Sequence, residues 1–456
     1  MSRRVAVTGI GVVTSLGLSA SEFWSACLEG RTVISSIPDD WRQFADYHST
    51  LWSPLPKLDA VSLGATRVEL GQNDRVSLMA VHAAREALSE SGLCVEGKNK
   101  RARTAFVVGV EPARAGVYMG TGVGGATSFL SNHAYQVLAR RKRDLSEIKD
   151  SLGADDPRAA KIESVIDKLV IGPRFNPFVV SMLMPNAISA LLGLKFTFTG
   201  PNLTYAIACA SGTVAIGEAF RAIRSGDIDV ALAGGSEYLD DHYGGIFLGF
   251  DIAGALVRDC ADPDRANRPF DESRSGFLFS QGGAAVFVLE EWDRAVGRGA
   301  PVLAEIAGYG ESFDAHSIMQ IDPEGIEIER MIRLALDDAG AAPADIQYVN
   351  AHGTGTQAND PTEANVIERV FGRQVMVNST KSLIGHTIGA SGALEAAVTV
   401  LSLENQTTHA CRNLENPISD LNFVRSVGPQ DISVAFTQSF AFGGHNAGLV
   451  LRRFKD

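Results

Sequence analysis

One cysteine and two histidines stand in settings where side chains do chemistry. Cys209 lies in YAIACASGTVAIGEAFRAI, residues 205–223, among Ala208, Ala210, Ser211 and Gly212. After it, Ile216, Phe220 and Ile223 recur at helical spacing, with Glu218, Arg221 and Arg224 off that stripe. Before it, GPNLTYAIA reads as a turn and a short apolar strand. The cysteine is therefore expected where a strand ends and a helix begins. Free backbone N–H groups and the helix dipole stabilise a thiolate there, and the same groups can hold a developing oxyanion. The segment alone also admits a buried spacer, since cysteine is among the most buried residue types.

His352 ends a strand-like run in NAHGTGTQANDPTE. Lys381 and His386 lie five residues apart in NSTKSLIGHTIGASG, and His445 sits in FAFGGHNAG. In open α/β sheets ligands bind beyond the strand carboxyl ends, which singles out histidines so placed. Cys209, His352 and His386 together make a coherent thiol site. The cysteine attacks a thioester and holds the acyl group. Two neutral imidazoles donate to the oxygen of an enolate, and Lys381 sets the local field. The chain has no H-x-x-x-H or C-x-x-C spacing, so no metal site is expected. GTGVGG, 120–125, fits G-x-G-x-x-G after a strand. The acidic residues that follow, Asp144 and Glu147, fall in a charged helical run, so the glycines are read as a close backbone approach rather than a dinucleotide loop. P-loop and G-x-S-x-G signatures are absent.

The elements that must position these residues alternate between strand and helix. RVAVTGIGVV reads as a strand, RVSLMAVHAAREALSESG as an amphipathic helix, and DIDVALAGGSEY as a strand. Later, EGIEIERMIRLALDDAG reads as an amphipathic helix, ASGALEAAVTVLSLEN as a buried one, and ISVAFTQSFAFGGHNAGLVLRR as a hairpin. Residues 31–73 read as mostly irregular and aromatic-rich, and 136–172 as charged helix. This grammar, repeated over two halves, predicts layered sheets with helices on both faces.

Composition narrows the function classes. The 456 residues are 45% hydrophobic and suffice for a large core. A net charge of −12 argues against nonspecific nucleic-acid binding. The basic stretch LARRKRDLSEIKD, 138–150, reads as a solvated helix face. No apolar run reaches the about eighteen residues of a membrane span. The N-terminus carries no cleavage signature. Five scattered cysteines fit a reduced, cytoplasmic protein without a disulfide framework.

ACASG, NAHGTGTQAND and STKSLIGHTIGASG occur in this order between VAVTGIGVVTSLG and FAFGGHNAGLV, together with NRPFDESRSGF and VALAGGSE. With these motifs the chain closely resembles the β-ketoacyl-[acyl carrier protein] synthases, elongating condensing enzymes of the thiolase superfamily, of the synthase II kind. The resemblance implies an α/β thiolase-like fold with two similar halves in five α-β-α-β-α layers. The division is placed at 1–255, carrying the nucleophile, and 256–456, carrying the histidines and the gating loop. It implies that Cys209 takes an acyl chain, that a malonyl-carrier thioester loses carbon dioxide against His352 and His386, and that the resulting carbanion attacks the acyl-cysteine. It places Lys381 and Glu363 as a charged surround, and Asn350, Asp360 and Glu395 in a structural network or near a cation. It also implies that the N–H groups of Cys209 and Phe442 form the oxyanion hole and that Phe442 is the gate with Phe440 beside it. No cofactor is implied; substrates ride on the 4′-phosphopantetheine of acyl carrier protein. A homodimer is implied, or a heterodimer with a related subunit. Two other functions share the motifs: a non-extending acyltransferase or decarboxylase, and a chain-length-shaping partner subunit.

The sequence departs from the family in its last loop. FAFGGHN stands where FGFGGTN is common, which places His445 at the expected pantetheine entrance and Ala441 beside the gate. RSGFLFSQGGA puts Ser275 and Gln281 where carboxylates are common, and TRVELGQNDR has few positive charges.

Overall fold

The computed structural model describes residues 3–99, 104–153, 155–169, 174–258 and 261–454. Five strands form the first half: β1 (Val5–Val13), β2 (Ala115–Gly120), β3 (Asn202–Tyr205), β4 (Val230–Tyr238) and β5 (Gly282–Glu291). Five more form the second: β6 (Ala304–Phe313), β7 (Tyr348–Asn350), β8 (Met376–Asn378), β9 (Val434–Ala441) and β10 (His445–Arg453). The spatial orders are β3-β2-β4-β5-β1 and β8-β7-β9-β10-β6, the same pattern twice. Orientation repeats as well. In each half the last strand runs antiparallel to its two neighbours, and the remaining pairs are parallel. The strand Asn422–Phe423 extends the second half, and Val5–Val7 of β1 pairs with Ala304–Ile306 of β6, so these eleven strands join in one sheet.

The repeat places the division between Glu291 and Ala304, later than the expected 255/256. The reason is β5, which pairs with β1 and β4 and so completes the first half. Burial explains why these segments are strands. Every residue of β1 is buried, as expected of an apolar run covered on both faces.

Five helices complete the layers: α1 (Arg75–Glu90), α2 (Ser211–Ser225), α3 (Ile326–Ala339), α4 (Asn359–Phe371) and α5 (Ser391–Asn405). Helix α1 covers β1 and β5 from outside, and α3 covers β6 and β10. Between them lie α2, touching β2 and β4 but also β6 and β10, and α5, touching β9 and β10 but also β5 and β4. This is the five-layered arrangement. Asp74 caps α1 by accepting from Val76 N–H, and α3 ends at Gly340 in the left-handed conformation. The charged stretch splits into helices Ala126–Asp150 and Pro157–Lys168. Residues 31–73 are not wholly irregular; they hold two short strands, a 3-10 turn and the helix Arg67–Gln72.

The starts of α2 and α5 are a second sign of the repeat. Ala208-Cys209-Ala210-Ser211-Gly212 and Ile388-Gly389-Ala390-Ser391-Gly392 each form a 3-10 turn before their helix, and Ala208 (φ 44°) and Ile388 (φ 48°) share a strained conformation. The two helices meet at their glycines. A Cβ on Gly212 would lie 2.7 Å from Ala393 N, and one on Gly392 would lie 2.0 Å from Thr213 Oγ1.

Among the described residues Cys27, Cys94, Cys209 and Cys411 are free, and no helix is long and apolar enough to cross a membrane. Cys260 lies outside the described residues.

The crossing yields a prediction. Gly392→Val and Gly212→Val should each destabilise the chain by at least the ~1–3 kcal/mol typical of overpacking. Gly249→Ala, where a Cβ meets nothing within 4 Å, should be near neutral. Denaturant melts compare them, and equal midpoints for all three would refute the close crossing.

Candidate active site

Cys209 sits where a strand gives way to a helix, as expected. β3 ends at Tyr205, the 3-10 turn Ala208–Ala210 follows, and α2 begins at Ser211. Its electrostatics differ from expectation. Cys209 is 3% exposed, and burial pushes its thiol up to about 12. The positive charge of Lys381 and the N–H of Phe442 pull the other way without prevailing. Burial therefore favours the neutral thiol at rest, over the pull of Lys381 and the Phe442 N–H.

The two histidines arrive from the second half. His352 follows β7, and His386 lies between the short helix Lys381–Ile384 and the turn before α5. His386 Nε2 is 3.0 Å from Cys209 Sγ, and the two imidazole rings stand edge to face with centroids 5.5 Å apart. Burial, followed by the charge of Lys381, holds both rings well below the ordinary histidine range, so both are neutral.

Lys381 assigns the protons on His352. Its ammonium lies 3.1 Å from His352 Nδ1 and 2.7 Å from the His352 carbonyl oxygen, and it pairs with Glu395. An ammonium can only donate, so Nδ1 accepts and the proton of the neutral ring sits on Nε2. His386 has no such pin, since among the described residues its Nδ1 has no hydrogen-bond partner. Its protonation follows what Nε2 meets: a thiol that donates, or an oxygen that accepts.

The surrounding carboxyl groups hold backbone. Glu363 accepts from the N–H groups of His352 and Gly353, each at 2.7 Å, and from Gln438 Nε2 at 2.7 Å. Burial pushes Glu363 up to about 7. Lys381 is therefore paired with Glu395 rather than Glu363. Glu395 also accepts from Ser391 Oγ at 3.0 Å and Ser439 Oγ at 3.4 Å. Asp360 staples the loop after His352 by accepting from the N–H groups of Phe270, Thr354 and Gly355. Asn350 donates to Tyr348 Oη and Thr380 Oγ1. Glu395, Asp360 and Asn350 thus each hold a different part of the site.

A cavity of about 120 Å³ opens onto this group and is lined by Cys209, His352, His386, Phe440, Phe442 and Met319, among others. The Phe440 ring lies 5.5 Å from that of His352, and the Phe442 ring stacks on Phe250 at 6.4 Å. Behind Cys209 an apolar cluster takes in Phe247, Phe279, Trp41 and Trp52, so the aromatic 31–73 segment forms part of the wall behind the nucleophile. His445 is exposed, packs at 5.1 Å on Phe313, and is not part of the cavity lining; its neighbour Asn446 is. Sequence reasoning passed over Thr354, Thr356, Asp314 and Gln320, which also line the cavity. The threonines sat in a quoted motif and could have been found; the Asp314–Gln320 segment carries no pattern. Donor atoms of Cys209, His352 and His386 lie within 4.8 Å of one another, a set that a thiophilic divalent ion could use.

The chain was compared with known proteins. The family models Beta-ketoacyl synthase, N-terminal domain, and Beta-ketoacyl synthase, C-terminal domain, match residues 2–295 and 303–415. A 3-oxoacyl-[acyl-carrier-protein] synthase 2 of Coxiella burnetii is 34% identical, covering 100% of this chain and 99% of the relative. One from Staphylococcus aureus is 33% identical with the same coverage. A beta-ketoacyl synthase from Burkholderia phymatum superposes with a TM-score of 0.80 at 30% identity, over 99% of this chain and 100% of its own. So does the structure of a type II PKS acyl-carrier protein in complex with its ketosynthase bound to the hexaketide, with a TM-score of 0.80 at 25% identity over 100% of both chains.

The geometry separates the histidines. His352→Ala should cut malonyl decarboxylation by on the order of a hundredfold, the scale for one oxyanion donor, and largely spare acylation of Cys209. His386→Ala should impair both. Carbon dioxide release and intact-protein mass spectrometry measure the two steps, and equal effects of both variants on acylation would contradict the assignment.

Proposed function

The chain belongs to the β-ketoacyl synthase family, and from that premise we propose how its site residues divide the reaction. It is a 3-oxoacyl-[acyl carrier protein] synthase, a condensing enzyme of fatty-acid or polyketide synthesis. In the first half-reaction Cys209 Sγ attacks the thioester carbonyl of an acyl-carrier substrate. The thiol proton passes to His386 Nε2, 3.0 Å away, and then to the departing pantetheine sulfur. The N–H groups of Cys209 and Phe442 receive the oxyanion; the Phe442 N–H already points at Sγ.

In the second half-reaction a malonyl thioester occupies the cavity. His352 Nε2–H donates to its carbonyl oxygen, and so does His386 once its ring proton has moved from Nδ1 to Nε2, while the carbon–carbon bond to the carboxylate breaks. Carbon dioxide leaves, and the electron pair becomes an enolate. Its carbon attacks the acyl carbonyl, and the tetrahedral intermediate expels the Cys209 thiolate, which takes up one proton from water, the proton that the overall reaction consumes. The single observation that carries this reading is the Lys381 ammonium on His352 Nδ1. It keeps a neutral donor aimed at the enolate oxygen, which an imidazolium would be prone to protonate into an unproductive enol.

The substrate carrier and the assembly are part of the proposal. Acyl groups reach the site on the 4′-phosphopantetheine of an acyl carrier protein, past the Thr354 and Thr356 hydroxyls in the cavity wall. A second copy, or a related subunit, joins along β3. This strand lies at the edge of the sheet with exposed Leu203, and exposed Phe129, Phe178 and Val180 belong to the same half.

Cys209→Gln tests the division of labour. The neutral amide mimics the acylated state, so the variant should release carbon dioxide from malonyl-carrier protein while forming no condensed product. Cys209→Ala should also form none. Continued condensation by either variant would sink the assignment of the nucleophile.

A further inference from the structure

Glu237 is a fully buried carboxyl group one residue from the end of β4 that the reaction steps above do not use. It does not line the cavity. Its two oxygens hold segments from both halves. Oε2 accepts from Gly122 N–H and, at 3.0 Å, from Gly389 N–H. Oε1 accepts from Thr121 Oγ1 at 3.1 Å and Val123 N–H at 3.3 Å. There is no slack in this contact: a Cβ on Gly389 would lie 2.2 Å from Gly122 N and 2.5 Å from Glu237 Oε2.

Each clasped segment leads to one member of the reacting pair. Residues 121–125 are tied to the nucleophile turn through Ser211, whose Oγ donates to Thr121 O at 2.9 Å and accepts from Ile207 N–H at 2.8 Å. Gly389 lies three residues after His386, in the turn where Ile388 is strained. The other end of that turn is held by the first half's β5 approach, where His386 N–H donates to Leu278 O at 2.8 Å. His386 is thus fixed from two sides, and Glu237 is the side chain on one of them. The glycine loop at 120–125 acts here as the part the carboxyl group grips.

We propose that Glu237 is a positioning residue that sets His386 Nε2 against Cys209 Sγ by clasping the 121–123 loop to the turn before α5. The proposal rests on the condensing reaction above. A carboxylate suits the task because each oxygen accepts from two donors at once. An amide of the same shape offers one accepting oxygen and turns an NH2 toward two donors, which pushes one segment away.

Burial pushes the Glu237 carboxyl up to about 7, so at pH 8 it is largely charged, and that charge gives a readout that a purely structural role would not move. The groups acting on the Cys209 thiol are Lys381, Glu395 and Glu237, with the neutral rings of His352 and His386 in contact range. Glu237 raises the thiol pKa, so its removal lowers it. In Glu237→Gln the thiol should therefore be alkylated by iodoacetamide at pH 8 at least as fast as in the wild type. Condensation should nevertheless fall on the order of a hundredfold in kcat, the cost of a misplacement of about 1 Å, with KM for malonyl-carrier protein little changed. The yield of a dibromoacetone cross-link between Cys209 and His386, read by mass spectrometry, should fall in parallel. Glu237→Asp keeps the charge but withdraws the acceptor, and should lose kcat without the gain in alkylation. Wild-type kcat in a folded Glu237→Gln, or parallel loss of alkylation and condensation, would overturn the proposal. So would failure of both variants to fold, since Glu237 would then serve the fold alone. A wild-type chain that does not condense would instead refute the function on which the proposal rests.

Discussion

Cys209 and His386 come from different halves of the chain, so the site exists only if the two central helices approach within glycine distance. Gly212 packs on the backbone of Ala393, and Gly392 on Thr213. No side chain fits between them. That contact brings the turn at 208–210 against the turn at 388–390. In the first half the middle position of the turn is Cys209; in the second it is Gly389, which has no side chain and lets its N–H reach Glu237. One repeated local structure thus supplies the nucleophile once and leaves room for it once.

The chemistry then follows from desolvation acting on a fixed charge pattern. Lys381 is a buried cation at the site and Glu395 its partner. A buried ion pair is weak evidence for stability, and here its ammonium has a second use in fixing the proton of His352. Burial raises the thiol of Cys209 and lowers both histidines. The resting site therefore carries neutral reacting groups, and charge develops only when a thioester enters. The electrostatic cost of catalysis is met by N–H donors already in place.

Much of this was legible in the sequence, for physical reasons. Small residues around Cys209 and the apolar stripe after it marked a strand-to-helix transition, because helix periodicity is local. His352 and His386 stood out because glycine and polar loops at strand ends leave side chains free to face a ligand. The ionisation state of Cys209 was not legible: desolvation depends on residues far away in the chain, such as Phe277 and Leu239. The pairing of Lys381 with Glu395 rather than Glu363 was hidden as well, since both carboxyl groups lie on buried helices. A division at 255/256 separates β5 from its partners, β1 and β4, and such long-range pairing is not written in local sequence. His445 looked like a cavity residue by adjacency, but strand alternation turns it outward and Asn446 inward.

The central claim is that His352 works as a neutral imidazole with its proton held on Nε2 by Lys381. Nitrogen-15 NMR of the histidine-labelled wild-type chain, with His352 assigned by loss of its signals in a variant, measures this directly. The account predicts a protonated Nε2, an unprotonated Nδ1, and no change on lowering the pH from about 8 to about 6, below the ordinary histidine value. A protonated Nδ1 at neutral pH, or an imidazolium, would contradict it.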